Sequence, residues 1–375
     1  MRVCWCGNAD LIPFSPEYGE CRTCGTLVYL KDMPTEQLLV RDDETDFYGK
    51  KYWLEHQQDA FGYADIHTRA RNDLTERNLH WLKTLLKYRL PPAKVLELGC
   101  SHGSFVALMR QAGYDAAGVE MSPWVVEFGQ KTFGVPISVG PAEALDIAPG
   151  SFDVIALMDV LEHLPDPVAT MAHCLQLLKP DGILLIQTPQ FKEEMDYTAL
   201  VETKGPFLDQ LKADEHLYLF SDRSVTRLFQ QLGAEHVQFE PAIFGHYDMF
   251  FAVSRMPFAA RSKEEIEENL TSTPHGRLVL ALLDIYSREA SALAQLQADK
   301  AHLAAQLKAC EADRAARLEV IEAQGKELGR IPQLEADKGH LAAQLQACEA
   351  DRAALYANKW IRLGIKVGLV ATKKR

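Results

Sequence analysis

The stretch that decides the fold is Val95-Leu96-Glu97-Leu98-Gly99-Cys100-Ser101-His102-Gly103-Ser104-Phe105. Its apolar start predicts a buried strand, and Gly99 and Gly103 allow a sharp turn and a close approach to a ligand before a helix begins near Ser104. The spacing is G-x-x-x-G, which differs from the G-x-G-x-x-G of dinucleotide-binding folds. Glu97 lies two residues before the first glycine, where a carboxylate would repel a pyrophosphate but attract an ammonium group.

Strands and helices alternate after this stretch. Residues 115–120 form a second predicted strand, and Glu120 at its end can accept hydrogen bonds from both hydroxyls of a ribose. A short element at Ala142-Glu143 precedes a further strand at residues 151–158, and another strand follows at 183–186. Short apolar runs that alternate with helical patterns are typical of βαβ units and a mostly parallel sheet.

Five segments in this order resemble the class I S-adenosylmethionine (SAM) dependent methyltransferases. They are Glu97-Leu98-Gly99-Cys100-Ser101-His102-Gly103, Gly118-Val119-Glu120, Phe152-Asp153-Val154, Leu161-Glu162-His163 and Leu177-Leu178-Lys179-Pro180-Asp181-Gly182. The resemblance covers residues 94–254 and implies a Rossmann-like α/β fold with a mostly parallel seven-stranded sheet.

The resemblance also implies a set of cofactor-binding residues. Glu97, Gly99 and Gly103 would hold the methionine part of SAM, Glu120 the ribose hydroxyls, and Met158 and Asp159 would flank the methionyl amine. Ala142 and Glu143 would lie near the adenine, and Ser101 and Met121 complete the set. Gly103 has helix–strand packing as its alternative role, Glu143 has a surface position, and His163 is interpreted as a packing residue.

The acceptor side is predicted at Glu215 and His216, in Asp214-Glu215-His216-Leu217-Tyr218-Leu219-Phe220-Ser221. His216 can take a proton from a sugar hydroxyl because the pKa of histidine lies near neutrality. Glu215 could orient His216 or act itself, and the alternative for His216 is a structural histidine. Ser221 is predicted to cap a helix over residues 222–232.

Two cysteine pairs near the N-terminus predict a metal site. Cys4 and Cys6 form the first pair, Cys21 and Cys24 the second, and a glycine follows each pair. Two tight turns that each supply two thiolates fit the tetrahedral coordination of Zn²⁺. Four cysteine ligands leave no position for water, so the zinc would be structural; the alternatives are disulfides or free thiols. The other four cysteines, Cys100, Cys174, Cys310 and Cys348, are expected to pack only.

The cysteine module, the methyltransferase segments and the Glu215-His216 segment together resemble bacterial sugar methyltransferases, which act on nucleotide-linked deoxysugars and surface-polysaccharide units. The leading hypothesis is therefore SAM-dependent methylation of a sugar or glycan hydroxyl. One alternative is methylation of another small metabolite. Another is a coiled-coil assembly protein with a vestigial methyltransferase core.

The C-terminal region contains a repeat. Residues 298–307 recur almost unchanged at 336–345, and Leu296, Leu303 and Leu307 fall at heptad spacing. Gly325, Gly329 and Pro332 are expected to interrupt the helix and give a hairpin or a broken coiled coil. The repeat predicts self-association. Residues 357–375 combine basic and apolar side chains and predict an amphipathic helix that contacts an anionic membrane or packs on the protein.

Composition limits the remaining possibilities. The 375 residues are 47% hydrophobic and 25% charged with a net charge of −12, which argues against a general nucleic-acid binder. Neither a signal peptide nor a membrane-spanning run is evident, so a cytoplasmic protein is expected, optionally peripheral at the inner membrane face. The predicted organisation is a zinc module (1–45), a helical lead-in (46–92), the methyltransferase core (93–255), a connector (256–290), the coiled-coil repeat (291–356) and the basic tail (357–375).

Overall fold

The computed structural model describes residues 2–31, 33, 40–213 and 215–357. The chain divides into two compact units, one that ends at Glu289 and one that begins at Ala290. The predicted basic helix over residues 357–375 lies outside the described residues except for Ala357. Among the helices of the described part, none is both long and apolar enough to cross a membrane.

A small antiparallel sheet and a helical lead-in open the first unit. The strands are β1 (Leu11–Pro13), β2 (Tyr18–Cys21) and β3 (Leu27–Tyr29), and the helices are α1 (Gln57–Phe61), α2 (Ile66–Asp73) and α3 (Leu79–Tyr88). Short π-helical turns precede α1 and α3, at Tyr52–His56 and Leu74–Asn78. The lead-in helices pack on the central sheet through an apolar cluster that includes Leu82, Leu85 and Leu86.

The central domain alternates strands and helices. Its elements are β4 (Lys94–Leu98), α4 (Ser104–Ala112), β5 (Asp115–Glu120), α5 (Pro123–Phe133), β6 (Ile137–Val139), β7 (Phe152–Met158), α6 (Pro167–Leu177), β8 (Leu178–Pro189), α7 (Tyr197–Thr203), β9 (Tyr218–Leu219), α8 (Asp222–Gln231), β10 (His236–Glu240) and β11 (Asp248–Ser254). The seven-stranded sheet has the order β10-β11-β8-β7-β4-β5-β6. Strands β4 to β8 pair in parallel, whereas β11 is antiparallel to both of its neighbours. The predicted Rossmann-like methyltransferase fold is confirmed.

Burial on both faces explains why the strands of this sheet read as continuous apolar runs. All seven residues of β7 are buried, as helices cover both faces of a parallel sheet. Local signals fix the helix ends. Ser122 accepts a hydrogen bond from the Val125 N–H ahead of Pro123 at the start of α5. Ser221 caps α8 as predicted, and a reciprocal bond with Ser224 completes a capping box.

The small sheet is completed by a strand from the far end of the domain. β9 pairs antiparallel with β3, which gives a four-stranded sheet in the order β1-β2-β3-β9. The Tyr29 N–H donates to the Leu217 carbonyl at 3.1 Å, and the Tyr18 hydroxyl donates to the His216 carbonyl at 3.0 Å. The N-terminal module is therefore attached directly to the segment that carries His216.

In the part of the chain described after the sheet, three helices follow: α9 (Lys263–Thr271), α10 (Pro274–Gly329) and α11 (Ile331–Ala357). The expected interruption at Gly325 is wrong, because α10 continues through Gly325 to Gly329 and the chain breaks only at Arg330. A glycine weakens a helix by only about 1 kcal/mol, which a long helix tolerates. Pro332 falls in the first turn of α11, where its missing N–H costs no hydrogen bond.

Candidate active site

A cavity of about 550 Å³ opens at the carboxyl ends of the central parallel strands. Open α/β sheets bind ligands at this edge, and ligand pockets commonly have volumes of about 300–1,000 Å³. Nine of the ten predicted cofactor residues line it: Glu97, Gly99, Ser101, Glu120, Met121, Ala142, Glu143, Met158 and Asp159. Glu215 and His216 line the same cavity, so donor and acceptor residues share one space.

Glu97 is a buried carboxylate in β4 at the donor end of the cavity. Only 4% of the residue is exposed, and its Oε2 atom has no hydrogen-bond partner among the described residues. Burial, together with the nearby Glu120, raises the pKa of Glu97 well above its usual range. A buried acidic group with an unsatisfied oxygen in a ligand cavity suits a cationic ligand. The cationic ammonium and sulfonium of SAM fit this end of the cavity.

Glu120 ends β5 and organises the loop after β4. Its Oε2 atom accepts from the Ser101 N–H at 2.9 Å, and Oε1 accepts from the N–H groups of Met121 and Ser122 at 2.8 and 3.2 Å. Burial nonetheless raises the pKa of Glu120, and these hydrogen bonds oppose the rise. A carboxylate offers about four acceptor sites, so capacity remains for a ribose hydroxyl.

The loop between β4 and α4, which contains Gly99 and Gly103, matches the prediction from the sequence only in part. Gly99 has φ 63° and Ser101 has φ 50°, which turns the backbone toward the cavity. Gly103 does not line the cavity, although it was predicted to hold the methionine part of the cofactor. It caps α4 at φ 76°, and a Cβ atom there would lie 2.8 Å from Ile137 Cδ1 and 3.0 Å from Val135 Cγ2. The structure therefore gives Gly103 the helix-packing role.

Asp159 stands at the end of β7 in a backbone conformation that disfavours most side chains, at φ 58°. Its carboxylate accepts from Gln187 Nε2 at 3.1 Å and from the Arg77 guanidinium at 3.3 Å. Gln187 in turn accepts from the indole N–H of Trp81 at 2.9 Å. Aspartate tolerates this left-handed conformation better than most residues, and these bonds aim its carboxylate.

Ala142 and Glu143 lie on a short 3₁₀ turn beside the predicted adenine region. Ala142 is buried, whereas Glu143 is exposed and accepts a 2.8 Å hydrogen bond from the Thr170 hydroxyl. Glu143 thus lines the cavity from its rim.

The acceptor end is built around Glu215 and His216, which are both buried. The two side chains have different partners: Glu215 contacts the Tyr52 hydroxyl at 3.2 Å and His56 Nε2 at 2.9 Å. His216 Nδ1 lies 2.8 Å from the Gln210 carbonyl oxygen. The expectation that Glu215 orients His216 is therefore not met, because the Gln210 carbonyl takes that place.

His163 and Glu162 face His216 from the turn after β7. The rings of His163 and His216 lie 4.9 Å apart, and His163 Nε2 lies 3.9 Å from Glu162 Oε1. Burial lowers the pKa of His163 to about 4 and that of His216 well below its usual range. Burial also raises the pKa of Glu162 to about 8, with Asp159 adding to the rise. Both imidazoles are therefore neutral at pH 7.

Several residues of the cavity were missed by sequence reasoning. The lead-in brings Asp73, Arg77 and Trp81 to its wall, and the start of β11 brings Asp248 together with Tyr247 just before it. Burial and carboxylate neighbours raise the pKa of Asp248 to about 9. The sequence offered one signal for these residues. A helix with the apolar residues Trp81, Leu82 and Leu85 on one face packs on the domain through that face, so the charged residues at the edge of the face lie close to the domain. Tyr48 and Tyr52, from the segment that precedes α1, also line the cavity.

The four N-terminal cysteines gather into one cluster. One sulfur from each lies within 4.8 Å of the other three, with Cys4 and Cys24 at 3.5 Å and Cys6 and Cys21 at 3.6 Å. All four are free thiols, and these separations far exceed a disulfide bond of about 2.05 Å. Four sulfurs around one Zn²⁺ at about 2.3 Å are about 3.8 Å apart. The donor set and its spacing fit a tetrahedral zinc ion.

Comparison with known proteins agrees with this geometry. Residues 69–238 match the model of a family described as a methyltransferase domain. A ubiquinone biosynthesis O-methyltransferase of Xanthomonas campestris pv. campestris (strain B100) is 35% identical over 105 residues, which are 26% of this chain and 44% of that protein. The protein of the same name from Xanthomonas axonopodis pv. citri is 32% identical over 146 residues, covering 36% of this chain and 61% of that one. The chain thus spans about half the length of the curated relatives it matches.

A solved structure is similar to about half of the chain. It is described as a SAM-dependent methyltransferase, possible histamine N-methyltransferase, from Thermotoga maritima. It is 20% identical and covers 50% of this chain and 96% of its own, with a TM-score of 0.37. Fold, cavity and family match together establish that the chain carries a class I SAM-dependent methyltransferase domain.

Proposed function

We propose that the whole protein transfers a methyl group from SAM to a hydroxyl of a sugar or glycan. The observation that carries the proposal is the single cavity in which an acidic donor end, Glu97 and Glu120, meets an acceptor end that contains His216. When bound, SAM supplies an electrophilic methyl carbon on a sulfonium. Direct transfer mainly requires alignment of the reacting atoms, and a cavity shared by donor and acceptor residues allows that alignment.

The donor end would hold SAM through charge and hydrogen bonds. The free oxygen of Glu97 would face the cationic methionyl part, and Asp159 would flank it from β7. Glu120 would keep its backbone hydrogen bonds, which fix the loop, and accept from the ribose with its remaining capacity. Ala142 and Met121 would contact the adenosine part.

The acceptor end has the composition of a sugar site. Aromatic rings of Tyr48, Tyr63 and Tyr247 stand beside polar groups of Lys212 and Asp248 around the same space. Aromatic faces pack on the apolar faces of sugar rings, while carboxylates and an ammonium hydrogen-bond hydroxyls.

His216 is the group proposed to receive the hydroxyl proton. The Gln210 carbonyl can only accept, so Nδ1 carries the proton and Nε2 is left as a base. As the acceptor oxygen bonds to the methyl carbon, the carbon–sulfur bond breaks and the hydroxyl proton passes to Nε2. Glu215 would position the lead-in over the acceptor through Tyr52 and His56.

The test is methyl transfer from radiolabelled SAM by purified full-length protein into fractionated host material. Label in nucleotide sugars or lipid-linked glycans is the expected result. Label only in protein or nucleic acid, or no label despite SAM binding, would contradict the proposal.

A second acceptor class is favoured by the relatives, whose printed names describe ubiquinone biosynthesis O-methyltransferases. A phenolic ring hydroxyl also fits an aromatic cavity. The same assay with a quinone-lipid fraction separates the two acceptors, since only one fraction should carry the label.

A structural zinc in the cysteine cluster is part of the proposal. Cys4, Cys6, Cys21 and Cys24 would hold it, and Asn8 Nδ2 lies 3.4 Å from the Cys21 sulfur as a supporting donor. The zinc would fix the turns that present β2 and β3, with no part in methyl transfer.

Self-association through the repeat is also proposed. Leu296, Leu303 and Leu341 are between 62% and 65% exposed, and these helices contain no buried residue beyond Leu283. A heptad seam of leucine normally buries itself against another helix, so a second copy is the natural partner. A cytoplasmic location, with contact at the inner membrane face through residues 357–375, completes the proposal.

A further inference from the structure

Three side chains at the acceptor end resemble a metal site that is separate from the cysteine cluster. One ligand atom each of Glu162, His163 and His216 lies within 4.8 Å of the other two. The one distance fixed by atom is 3.9 Å, from His163 Nε2 to Glu162 Oε1. Donors bound to one ion at about 2.1 Å are roughly 3.0–3.4 Å apart. Small rotations of the three side chains would therefore bring them onto one ion.

Both imidazoles present the correct nitrogen. His216 Nδ1 lies 2.8 Å from the Gln210 carbonyl. His163 Nδ1 lies 2.9 Å from the Glu215 carbonyl and 3.2 Å from the Tyr48 hydroxyl, which can accept as well as donate. A carbonyl accepts and never donates, so Nδ1 carries the proton in both rings and both Nε2 atoms keep their lone pairs. Metal-bound histidines characteristically donate their second N–H to a carbonyl or carboxylate, which fixes the ring.

Glu162 supplies a buried carboxyl group whose proton a bound cation would displace. The residue is 1% exposed, and its Oε2 atom accepts from the Thr188 hydroxyl at 2.8 Å. Its Oε1 atom has no hydrogen-bond partner among the described residues. A buried carboxylate oxygen is costly without a partner, and a cation is the partner that this oxygen lacks.

The charge around the cluster favours a cation on balance. Asp159 raises the pKa of Glu162, and Asp159 and Glu162 raise the pKa of Asp248, while Arg77 and Lys212 are the cations that oppose these rises. Carboxylates are also in excess along the whole cavity wall, where Arg69, Arg77 and Lys212 are the cationic residues.

We propose that Glu162, His163 and His216 bind a divalent transition-metal ion, of the kind that prefers imidazole with one carboxylate, such as Zn²⁺, Mn²⁺ or Fe²⁺. Three protein ligands leave coordination positions open on the cavity side. The inference rests on the proposed function and deepens it. The ion would bind the acceptor through its hydroxyl, and a neighbouring oxygen on the acceptor would occupy a second open position. Vicinal diols and catechols both offer such a pair.

The ion would change how the acceptor loses its proton. A bound divalent cation lowers the pKa of a coordinated hydroxyl directly, as it does for water. His216 would then act as a ligand, and the proton assigned to it above would leave to solvent when the acceptor binds. Methyl transfer itself would proceed as before, with the carbon–sulfur bond broken and the carbon–oxygen bond formed.

Cobalt titration of the full-length protein tests the site. Protein carrying one zinc per chain, held by the cysteines, is titrated with Co²⁺ while absorbance and stoichiometry are followed. The expected result is a further equivalent of Co²⁺ with visible bands but without the strong thiolate charge-transfer band. Glu162→Gln and His216→Gln should each weaken this binding at least tenfold, while His302→Gln and Glu311→Gln, on the exposed repeat, should leave it unchanged.

Two outcomes would overturn the inference. One is wild-type protein that takes up no Co²⁺ beyond the cysteine site, and the other is binding that Glu162→Gln and His216→Gln leave unaltered. One retained zinc per chain and an unchanged circular dichroism spectrum confirm that the variants are folded. Methyl transfer by protein stripped of the second ion would contradict the metal role while the proposed function stands. Cobalt binding without methyl transfer to any fraction would contradict the proposed function alone.

Discussion

At the scale of single residues, burial of Glu97 at the donor end destabilises the ligand-free protein. Its carboxylate is buried beside a second acid, Glu120, and one of its oxygens has no hydrogen-bond partner among the described residues. Such an arrangement destabilises the protein without ligand and favours a cationic ligand when one binds. Function and stability therefore oppose each other at this position.

Glu97→Gln should weaken SAM binding by about tenfold, or about 1.4 kcal/mol, because the amide removes the negative charge. The same change should raise the free energy of unfolding of the ligand-free protein by roughly 1 kcal/mol, since it removes a buried acid whose pKa is raised on folding. Calorimetric titration with SAM and denaturant unfolding measure the two effects. Glu202→Gln is the matched control, because Glu202 is exposed on α7 and does not line the cavity, and it should change neither quantity appreciably. Unchanged SAM affinity in Glu97→Gln would refute the assigned role.

Glu120→Ala should abolish measurable SAM binding and also lower stability. Three backbone N–H groups lose their acceptor, and each unsatisfied buried group costs about 1–3 kcal/mol. Glu120→Gln should keep part of this network and therefore most of the stability, yet still bind SAM weakly. Thermal unfolding and SAM titration of both variants measure the two effects. Normal SAM binding by the glutamine variant would show that the role of Glu120 is structural only.

These residues also mark the limit of sequence reasoning. Glu97, Glu120 and Asp159 were found because each ends or adjoins a recognisable strand, so their common edge follows from parallel topology. Arg77 was missed, although it contacts Asp159, because 82 residues separate the two and neither position carries a local signal. The wrong partner for Glu215 has the same cause: His56 reaches it from the lead-in, 159 residues away.

At the scale of elements, the pairing of β3 with β9 links the cysteine cluster to the acceptor end. Cys21 ends β2, Cys24 lies in the turn between β2 and β3, and His216 stands two residues before β9. Tyr18 on β2 also donates to the His216 carbonyl. A disordered cluster would therefore release the backbone that aims His216.

Cys24→Ser should lower zinc content to well below one per chain and reduce kcat by at least tenfold, with SAM affinity nearly unchanged. The cofactor end depends on β4, β5 and β7, which belong to the seven-stranded sheet and form no strand pairs with the small sheet. Cys174→Ala is the control, since Cys174 is a buried cysteine of α6 outside the cluster. Zinc analysis, SAM titration and methyl transfer are the measurements. Full activity in zinc-free Cys24→Ser would show that the module does not position the acceptor end.

The strands were predictable and the helix breaks were not, for a physical reason. A strand buried on both faces must be continuously apolar, and β7 meets that requirement at all seven positions. Gly325 carries only a small helix penalty, and the surrounding alanine, leucine and glutamate favour helix strongly enough to override it.

At the scale of the whole molecule, the unit that begins at Ala290 is helical over most of its described residues, and none of those residues up to Ala357 is buried. The leucine seam recurs in both copies of the repeat, and its side chains remain mostly exposed. Helices of this kind gain most of their stability from a partner that covers the apolar seam.

Leu303→Asp combined with Leu341→Asp should convert the self-associated protein to monomer, because charge enters two seam positions. Ala304→Asp combined with Ala342→Asp places the same charge one residue away, outside the seam, and is the matched control. Light scattering after size-exclusion chromatography gives the mass of each. A wild-type protein that elutes as a monomer would contradict self-association through the repeat, as would an unchanged mass in the seam variant.

The β3–β9 pairing also has a consequence for synthesis. Tyr18 and His216 are 198 residues apart in sequence, so the small sheet cannot close until most of the catalytic domain has left the ribosome. Loop closure over that distance is slow, and contacts of such long range form late in folding. The donor end, whose strands β4 to β6 are close in sequence, can assemble first. A newly made chain would thus acquire the capacity to bind SAM before the capacity to use it.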